Sequence, residues 1–311
     1  MRWFASSSSG RSSEAGAGHA PGGDEALLPP ALLGALSGLE LVSPARKRRP
    51  SEGVHPALRH GREEEFFQHR PYVRGDDLRA VDWRASARTG HRLLKERHQP
   101  SRRPLALLLD TSASMAFPEG ATKLRQAKVL AAALAFLALR RGDSVEMSHL
   151  DGGIFRRVAR LKPAARSLHA ISRALAPLGA TGEGDLASAL SAVGPLAIRN
   201  SCCVVLSDLY GDEAALLGAL ASIRRVAEVA VVHVLSADEK EIPAGGGLLE
   251  ELEGGGVTRL DAAAIRGHAT RVAAWRERLR AGSLSAGAEW IDADAAEAPV
   301  RILTRWLGRV S

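Results

Sequence analysis

The sequence predicts an α/β fold built on a doubly wound, mostly parallel sheet of the Rossmann type. Three observations carry that prediction. Short unbroken apolar runs, "PLALLLD", "SCCVVLSD" and "AEVAVVHVL", read as strands buried on both faces. Segments of helical spacing with recognisable ends separate them. The runs at Asp110 and Asp208 stop on an acid, and ligands of such sheets gather at the carboxyl ends of strands.

Taken in order, residues 1–24 are rich in Ser, Gly and Ala and poor in large apolar side chains, so disorder is expected there. "EALLPPALLGALSGLEL" follows with leucines at near-helical spacing after a Pro pair, a short amphipathic helix. "SPARKRRPSEG" is a basic connector. From Pro104 strand and helix alternate. "TKLRQAKVLAAALAFLALRRG" is a helix with Thr122 as N-cap, arginines in its last turn and Gly142 as its stop. "DSVEMSHL" and "GIFRRVA" are two strands joined at Asp151-Gly152, a hairpin signal. "AARSLHAISRAL" and "DLASALSAVGPLAI" are helical, as is "DEAALLGALASIRR". "DAAAIRGHATRVAAWRERLRAG" makes a long amphipathic helix, and "AEWIDA" and "APVRILTRWLG" close the chain as strand and helix. The expected organisation is a disordered 1–24, a motif region 25–103, and an α/β domain 104–311.

Composition bounds the function. The 311 residues suffice for one large domain or two modest ones. The longest apolar run, Val129 to Leu139, falls well short of the roughly 20 residues that span a bilayer. The start has no apolar signal core, and the adjacent Cys202 and Cys203 suit neither a disulfide nor a metal. A cytoplasmic location is the expectation. The net charge of +7 is local: residues 46–103 carry sixteen Lys/Arg against eight Asp/Glu, leaving 26 basic and 27 acidic residues elsewhere.

That basic segment raises the question of nucleic acid. Phosphate binding needs cations left free of acids. In "RPYVRGDDLRAVDWRASARTG", however, Asp76, Asp77 and Asp82 interleave with Arg74, Arg79, Arg84 and Arg88. The spacing favours internal Arg–carboxylate pairs, with Leu78, Val81 and Trp83 as apolar anchors and Gly75 in a tight turn. An ion-paired structural module is expected, and nucleic acid is an unlikely partner.

"DTSAS" offers chemistry. Asp110 ends a strand, and Ser112 and Ser114 lie in the turn that follows. One carboxylate and two hydroxyls form an all-oxygen half-cage suited to a hard divalent cation. Asp208 is the natural second acid, and a Thr or Ser of "GATGEGD" a further oxygen. Simple helix capping by the same residues is the bland alternative. A phosphoryl-transfer aspartate would want an acid two residues on, where Ser112 stands. A serine nucleophile would want a G-x-S-x-G elbow, which is missing around Ser112 and Ser114. A metal-dependent phosphoester hydrolase would further need a general base, which the sequence does not nominate.

"DTSASM" after an apolar strand, with a later strand ending "LSD", resembles the von Willebrand factor A (vWA) domain and its metal-ion-dependent adhesion site, D-x-S-x-S. "EFFQHRPYVRGDDLRAVDWRASARTGHRLLKE" just upstream resembles the DUF58 family, whose hallmark is R-x-Y-x-x-G-D-D-x-R-x-I-D-W-x-x-S-A-R. The hallmark falls on Arg70, Tyr72, Gly75, Asp76, Asp77, Arg79, Asp82, Trp83, Ser86 and Arg88, with Val81 at the Ile position. The resemblance implies that Asp110, Ser112, Ser114 and Asp208 hold a divalent cation, Mg²⁺ first, with Mn²⁺ or Ca²⁺ as alternatives. It also exposes a departure. Relatives read Gly-Thr-Asp-Leu where this chain reads Glu183-Gly184-Asp185-Leu186, so the Thr ligand falls on Gly184 and leaves Thr181 or Asp185 as substitutes. The resemblance further implies a non-enzymatic adaptor that works with a MoxR-type AAA+ ATPase or its client, in the short form lacking transmembrane helices.

Overall fold

The computed structural model describes residues 2–4, 26–39, 41, 65–73, 81–98, 104–118, 122–163, 167–181, 184–196, 201–240, 248–250, 257–259 and 262–308. Its elements begin with β1 (Arg2–Phe4), α1 (Pro30–Leu36), β2 (Glu65–Pro71), α2 (Trp83–Thr89), β3 (Leu93–His98) and β4 (Leu105–Leu109). A 3-10 turn (Ala113–Ala116) leads to α3 (Lys123–Arg141), β5 (Val145–Asp151), β6 (Ile154–Leu161), α4 (Ser167–Leu175), α5 (Leu186–Leu196) and β7 (Cys202–Ser207). Then come α6 (Glu213–Arg224), β8 (Glu228–Leu235), α7 (Ala237–Lys240), β9 (Leu248–Glu250), β10 (Val257–Arg259), α8 (Ala262–Ser285), β11 (Glu289–Asp294) and α9 (Pro299–Leu307). The chain divides into two compact units, one of residues 1–50 with 103–311 and one of residues 51–102. The expected motif region 25–103 is thus shared between them, α1 falling in the larger.

In the larger unit six strands run in the order β11-β8-β7-β4-β5-β6. All neighbours are parallel except β5 and β6, an antiparallel hairpin. β4 is flanked on both sides, Leu107 pairing with Met147 and with Val204. Strand alternation sends its side chains into two cores. Leu105, Leu107 and Leu109 join Val204 and Leu206 against α1, α3, α4 and α9. Leu108 joins Cys203, Val205, Val229 and Val231 against α5, α6 and α8. The apolar runs lack polar alternation because both faces are covered.

The local signals act as expected. Thr122 Oγ1 accepts from the Arg125 N–H at 3.0 Å, and Gly142 ends α3 at φ 94°. The hairpin turn lies one residue later than Asp151-Gly152: Gly152 and Gly153 adopt φ 57° and 78°, as a two-residue turn requires. The N-terminal helix is held at both ends of its burial. Leu32 and Leu36 are buried, while Arg140 donates to the carbonyls of Leu36, Ser37 and Leu39 at 3.3, 3.2 and 2.6 Å. The arginine thus ties the last turn of α1 and the residues just after it to the C-terminal end of α3. A small antiparallel sheet, β1-β9-β10, completes this unit. Its β1 lies inside the stretch expected to lack order, while the rest of residues 1–24 falls outside the described residues.

In the smaller unit β2 and β3 pair antiparallel and α2 precedes β3. Asp82 Oδ1 caps α2, accepting from the N–H groups of Arg84 and Ala85 at 3.1 and 3.0 Å. Ser86 Oγ donates to the Asp82 carbonyl at 2.7 Å and accepts from Leu93 N–H at 2.9 Å, tying helix to strand. Here one expectation needs correction. Trp83 is 61% exposed rather than an apolar anchor, and the anchors are Val81, Ala85 and Leu94. The Asp82 carboxylate serves the helix N-terminus, and Arg88 Nε donates to the Arg84 carbonyl at 3.4 Å. Neither Arg84 nor Arg88 forms an ion pair among the described residues. Arg70 lies on β2 and Tyr72 just after it, with Arg92 over the Tyr72 ring. Gly75, Asp76, Asp77 and Arg79, with Arg74 and Leu78, lie outside the described residues.

Two outcomes follow. Leu36→Ala should cost about 2–5 kcal/mol in urea unfolding, because Leu36 is fully buried against α3 and α9. His233, on β8 between Trp275 and Trp290, is pushed down to about 4, chiefly by burial. Its folded value lies below the unfolded 6.5, so its stabilising contribution is complete above pH 6.5 and lost toward pH 4. His233→Leu should remove up to about 3 kcal/mol of that pH dependence, measured as unfolding free energy at pH 7 against pH 4.5.

Candidate functional site

The end of β4 and the end of β7 meet in register. The Asp110 N–H donates to the Leu206 carbonyl at 2.9 Å, so two acids, Asp110 and Asp208, leave adjacent parallel strands on the same edge of the sheet. Both are buried, as are Ser112 and Ser114. Asp110 Oδ1 accepts from the Ser112 N–H at 2.9 Å and Oδ2 from Ser207 Oγ at 2.6 Å. The Ser112 and Ser114 hydroxyls face each other at 3.0 Å. Ser112 occupies the N-cap of the 3-10 turn without a side-chain capping bond, and α3 is capped by Thr122 instead. Helix capping therefore does not account for the two serines.

The sequence reading missed the cation at the site. Lys123, in the first turn of α3, is fully buried. Its ammonium donates to Asp208 Oδ2 at 2.7 Å and in close contact to Glu239 Oε1. Burial acts to lower its pKa, but the charges of Asp208 and Glu239 outweigh it and the net direction is upward. Lysine in a first turn opposes the helix dipole, and that mismatch is the one signal in the sequence that singles it out. Glu239 is fixed in turn by Ser236, whose N–H donates to Oε2 at 2.8 Å.

Tyr210 covers this clasp. Its N–H donates to Asp208 Oδ1 at 3.4 Å and its hydroxyl to Glu239 Oε1 at 3.3 Å. Its ring lies 5.1 Å from Lys123 Nζ and stacks on Trp275 at 5.2 Å. Burial, followed by the charges of Glu239 and Asp208, raises its phenol. Leu209 between the two has φ 59°, a strained value for a branched residue and the kind found at working sites. His233 Nε2 donates to the Asp208 carbonyl at 3.0 Å.

Asp110 differs from Asp208 in having no cation beside it among the described residues. Burial, followed by repulsion from Asp208, pushes its carboxyl up to about 6. Thr181 is exposed, and its N–H donates to the Thr111 carbonyl at 2.9 Å, which brings its loop to the end of β4. Asp185 caps α5, accepting from Ser188 N–H at 3.0 Å and Ser188 Oγ at 2.5 Å. Gly184 lies against the site: a Cβ there would stand 3.6 Å from Ser112 Cβ but only 2.6 Å from Leu150 Cδ2. The loop thus has room for glycine alone unless Leu150 moves. No group of three or more His, Cys, Asp or Glu suited to a metal occurs among the described residues. A cation here would have to use hydroxyls.

Among solved structures the chain is similar to the BatB protein of Bacteroides thetaiotaomicron, at 13% identity and a TM-score of 0.42, over 67% of this chain and 98% of that one. It is also similar to the SpRpn10 VWA domain, at 10% identity and a TM-score of 0.39, over 66% and 95%. Two mycobacterial proteins are closer in sequence. Uncharacterized protein Rv1480 of Mycobacterium tuberculosis and Uncharacterized protein Mb1516 of Mycobacterium bovis are each 30% identical over 234 residues, 73% of this chain and 72% of theirs. The family model described as "Protein of unknown function DUF58" matches residues 68–278, a span that runs from the Arg/Asp/Trp motif through the D-x-S-x-S turn to α8. By that match and by these relatives, the chain belongs to the DUF58 family.

Proposed function

We propose that this protein is a non-enzymatic protein-binding module whose D-x-S-x-S turn takes a divalent cation, Mg²⁺ before Mn²⁺ or Ca²⁺. The observation that carries the reading is the charge balance at the strand ends. Of three buried carboxylates, Asp208 and Glu239 share one buried ammonium, Lys123, while Asp110 has no cation beside it among the described residues. Uncompensated buried charge is costly, and a hard cation is the usual remedy where every available donor is oxygen. Asp110, Ser112 and Ser114 would hold the ion, with Asp208 through the oxygen that Lys123 does not occupy. Thr181 is the exposed hydroxyl nearest in sequence to Gly184, and it would reach the ion only if its loop rearranged. When bound, the ion supplies a Lewis-acidic position that a carboxylate from another protein can fill.

The protein's own residues favour binding over turnover. Glu239, the acid best placed to act as a base, is engaged by Lys123, Ser236 and Tyr210. Asp110 is held by the Ser112 N–H on one oxygen and the Ser207 hydroxyl on the other. Such fixed side chains suit a preorganised recognition surface. The resemblance set out above makes a MoxR-type AAA+ ATPase, or a client of one, the partner of choice.

Capture of such an ATPase by the immobilised full chain should require Mg²⁺, and Asp110→Ala should reduce it at least about tenfold. Recovery indifferent to chelation and to Asp110→Ala would overturn the metal-bridged reading. Phosphoester turnover lost in Asp110→Ala would instead support the hydrolase alternative. Gly184→Thr alone should lower stability by about 1–3 kcal/mol through its contact with Leu150. Combined with Leu150→Ala, which removes the clash at the cost of a buried core side chain, it should bind Mn²⁺ more tightly than wild type, as titration calorimetry would show.

A further inference from the structure

The D-x-S-x-S pattern assigns no part to Lys123, yet the Lys123 ammonium is bonded to a carboxylate which that pattern needs. Asp208 Oδ2 lies 2.7 Å from Nζ, whereas among the described residues Oδ1 has only the long 3.4 Å contact from Tyr210 N–H. One oxygen of Asp208 therefore belongs to the lysine and the other is available to an ion. The ammonium itself is divided, because Glu239 also accepts from it and the Tyr210 ring lies over it at 5.1 Å. Aromatic faces attract cations, so Tyr210 helps to keep the charge in place.

We propose, resting on the metal reading above, that Lys123 is a positioning residue that competes with the divalent cation for Asp208. Glu239, by sharing the ammonium, decides how much of the Asp208 charge remains for the ion. An ammonium beside a cation site repels the ion as well as occupying a ligand, and both effects grow as water is excluded. Taking away Lys123 and Glu239 together leaves the net charge unchanged but releases Asp208. Taking away Glu239 alone concentrates the ammonium on Asp208.

The test uses Mn²⁺ as the probe on the full chain, with affinity from electron paramagnetic resonance and thermal unfolding followed in parallel. Four proteins are compared: wild type, Glu239→Gln, the double variant Lys123→Met with Glu239→Gln, and Asp110→Ala. Affinity should rank double variant above wild type above Glu239→Gln. The extremes should differ by at least about tenfold, the scale of one unit charge moved beside a divalent ion. Asp110→Ala should bind none. A purely structural lysine would loosen Asp208 when removed, so the double variant would lose Mn²⁺ affinity and melting temperature together. Tighter Mn²⁺ binding at an unchanged or lower melting temperature is the outcome that role does not produce. Glu239→Gln keeps the Lys123–Asp208 pair and so keeps the test decisive if the double variant is unstable. Mn²⁺ bound by wild type, lost in Asp110→Ala and indifferent to the other substitutions overturns this inference alone. Mn²⁺ bound by none of the four overturns it together with the metal reading.

Discussion

A single buried ammonium joins three elements that are far apart in the chain. Lys123 opens α3, Asp208 ends β7, and Glu239 lies in α7 beyond β8. Breaking a buried pair by removing one partner leaves a charge with no compensation, typically about 3–5 kcal/mol. The clasp therefore holds the carboxyl ends of the central strands in one arrangement. Its directionality also does what apolar contact cannot: Leu, Val and Ala around it would tolerate small sliding, whereas an N–H···O bond to each of two carboxylates does not.

The remainder of the larger unit supports that arrangement by simpler means. β4 lies between β7 and β5, and its leucines feed both cores. The helix that carries Lys123 is alanine-rich where it meets the sheet: Ala127, Ala131, Ala135 and Ala138 have no measurable exposure. Small residues let the helix approach closely, which brings the first turn of α3 within reach of Asp208. The arginines at its other end, Arg140 and Arg141, hold the carbonyls of Leu36, at the end of α1, and of Leu39 and Leu41 beyond it. One helix thus anchors the site at its N-terminus and the N-terminal segment at its C-terminus.

Much of this was legible in the sequence, for reasons that can be stated. Parallel strands covered on both faces have no polar positions, so "PLALLLD" and "SCCVVLSD" declare themselves by composition. Thr122 and Gly142 declare the ends of α3 because few residues satisfy a helix N-terminus or adopt φ > 0. The Asp110, Ser112 and Ser114 turn was legible because hydroxyls at that spacing point one way. Lys123 and Glu239 were not, because a lysine at a helix start is ordinarily solvated, and only tertiary burial shows otherwise. The exposure of Trp83 was not legible for a related reason. Asp82 accepts from two backbone donors at the start of α2, which fixes where the helix begins. Trp83, the first residue after that cap, is then carried to the outside.

Gly184 shows how the loop and the clasp constrain each other. A hydroxyl-bearing side chain at position 184 would face Ser112, but Leu150 fills that space, its Cγ 3.2 Å from where the Cβ would stand. Leu150 is itself held: it is buried in the second core, and its carbonyl accepts from the Thr111 hydroxyl in close contact. Thr111 follows Asp110, so the residue whose side chain fills the space beside Gly184 also holds, through its carbonyl, the residue next to Asp110. With that position closed to a side chain, the two acids at the strand ends stand in unlike surroundings: Asp208 shares the Lys123 ammonium with Glu239, and Asp110 is bonded to Ser112 and Ser207.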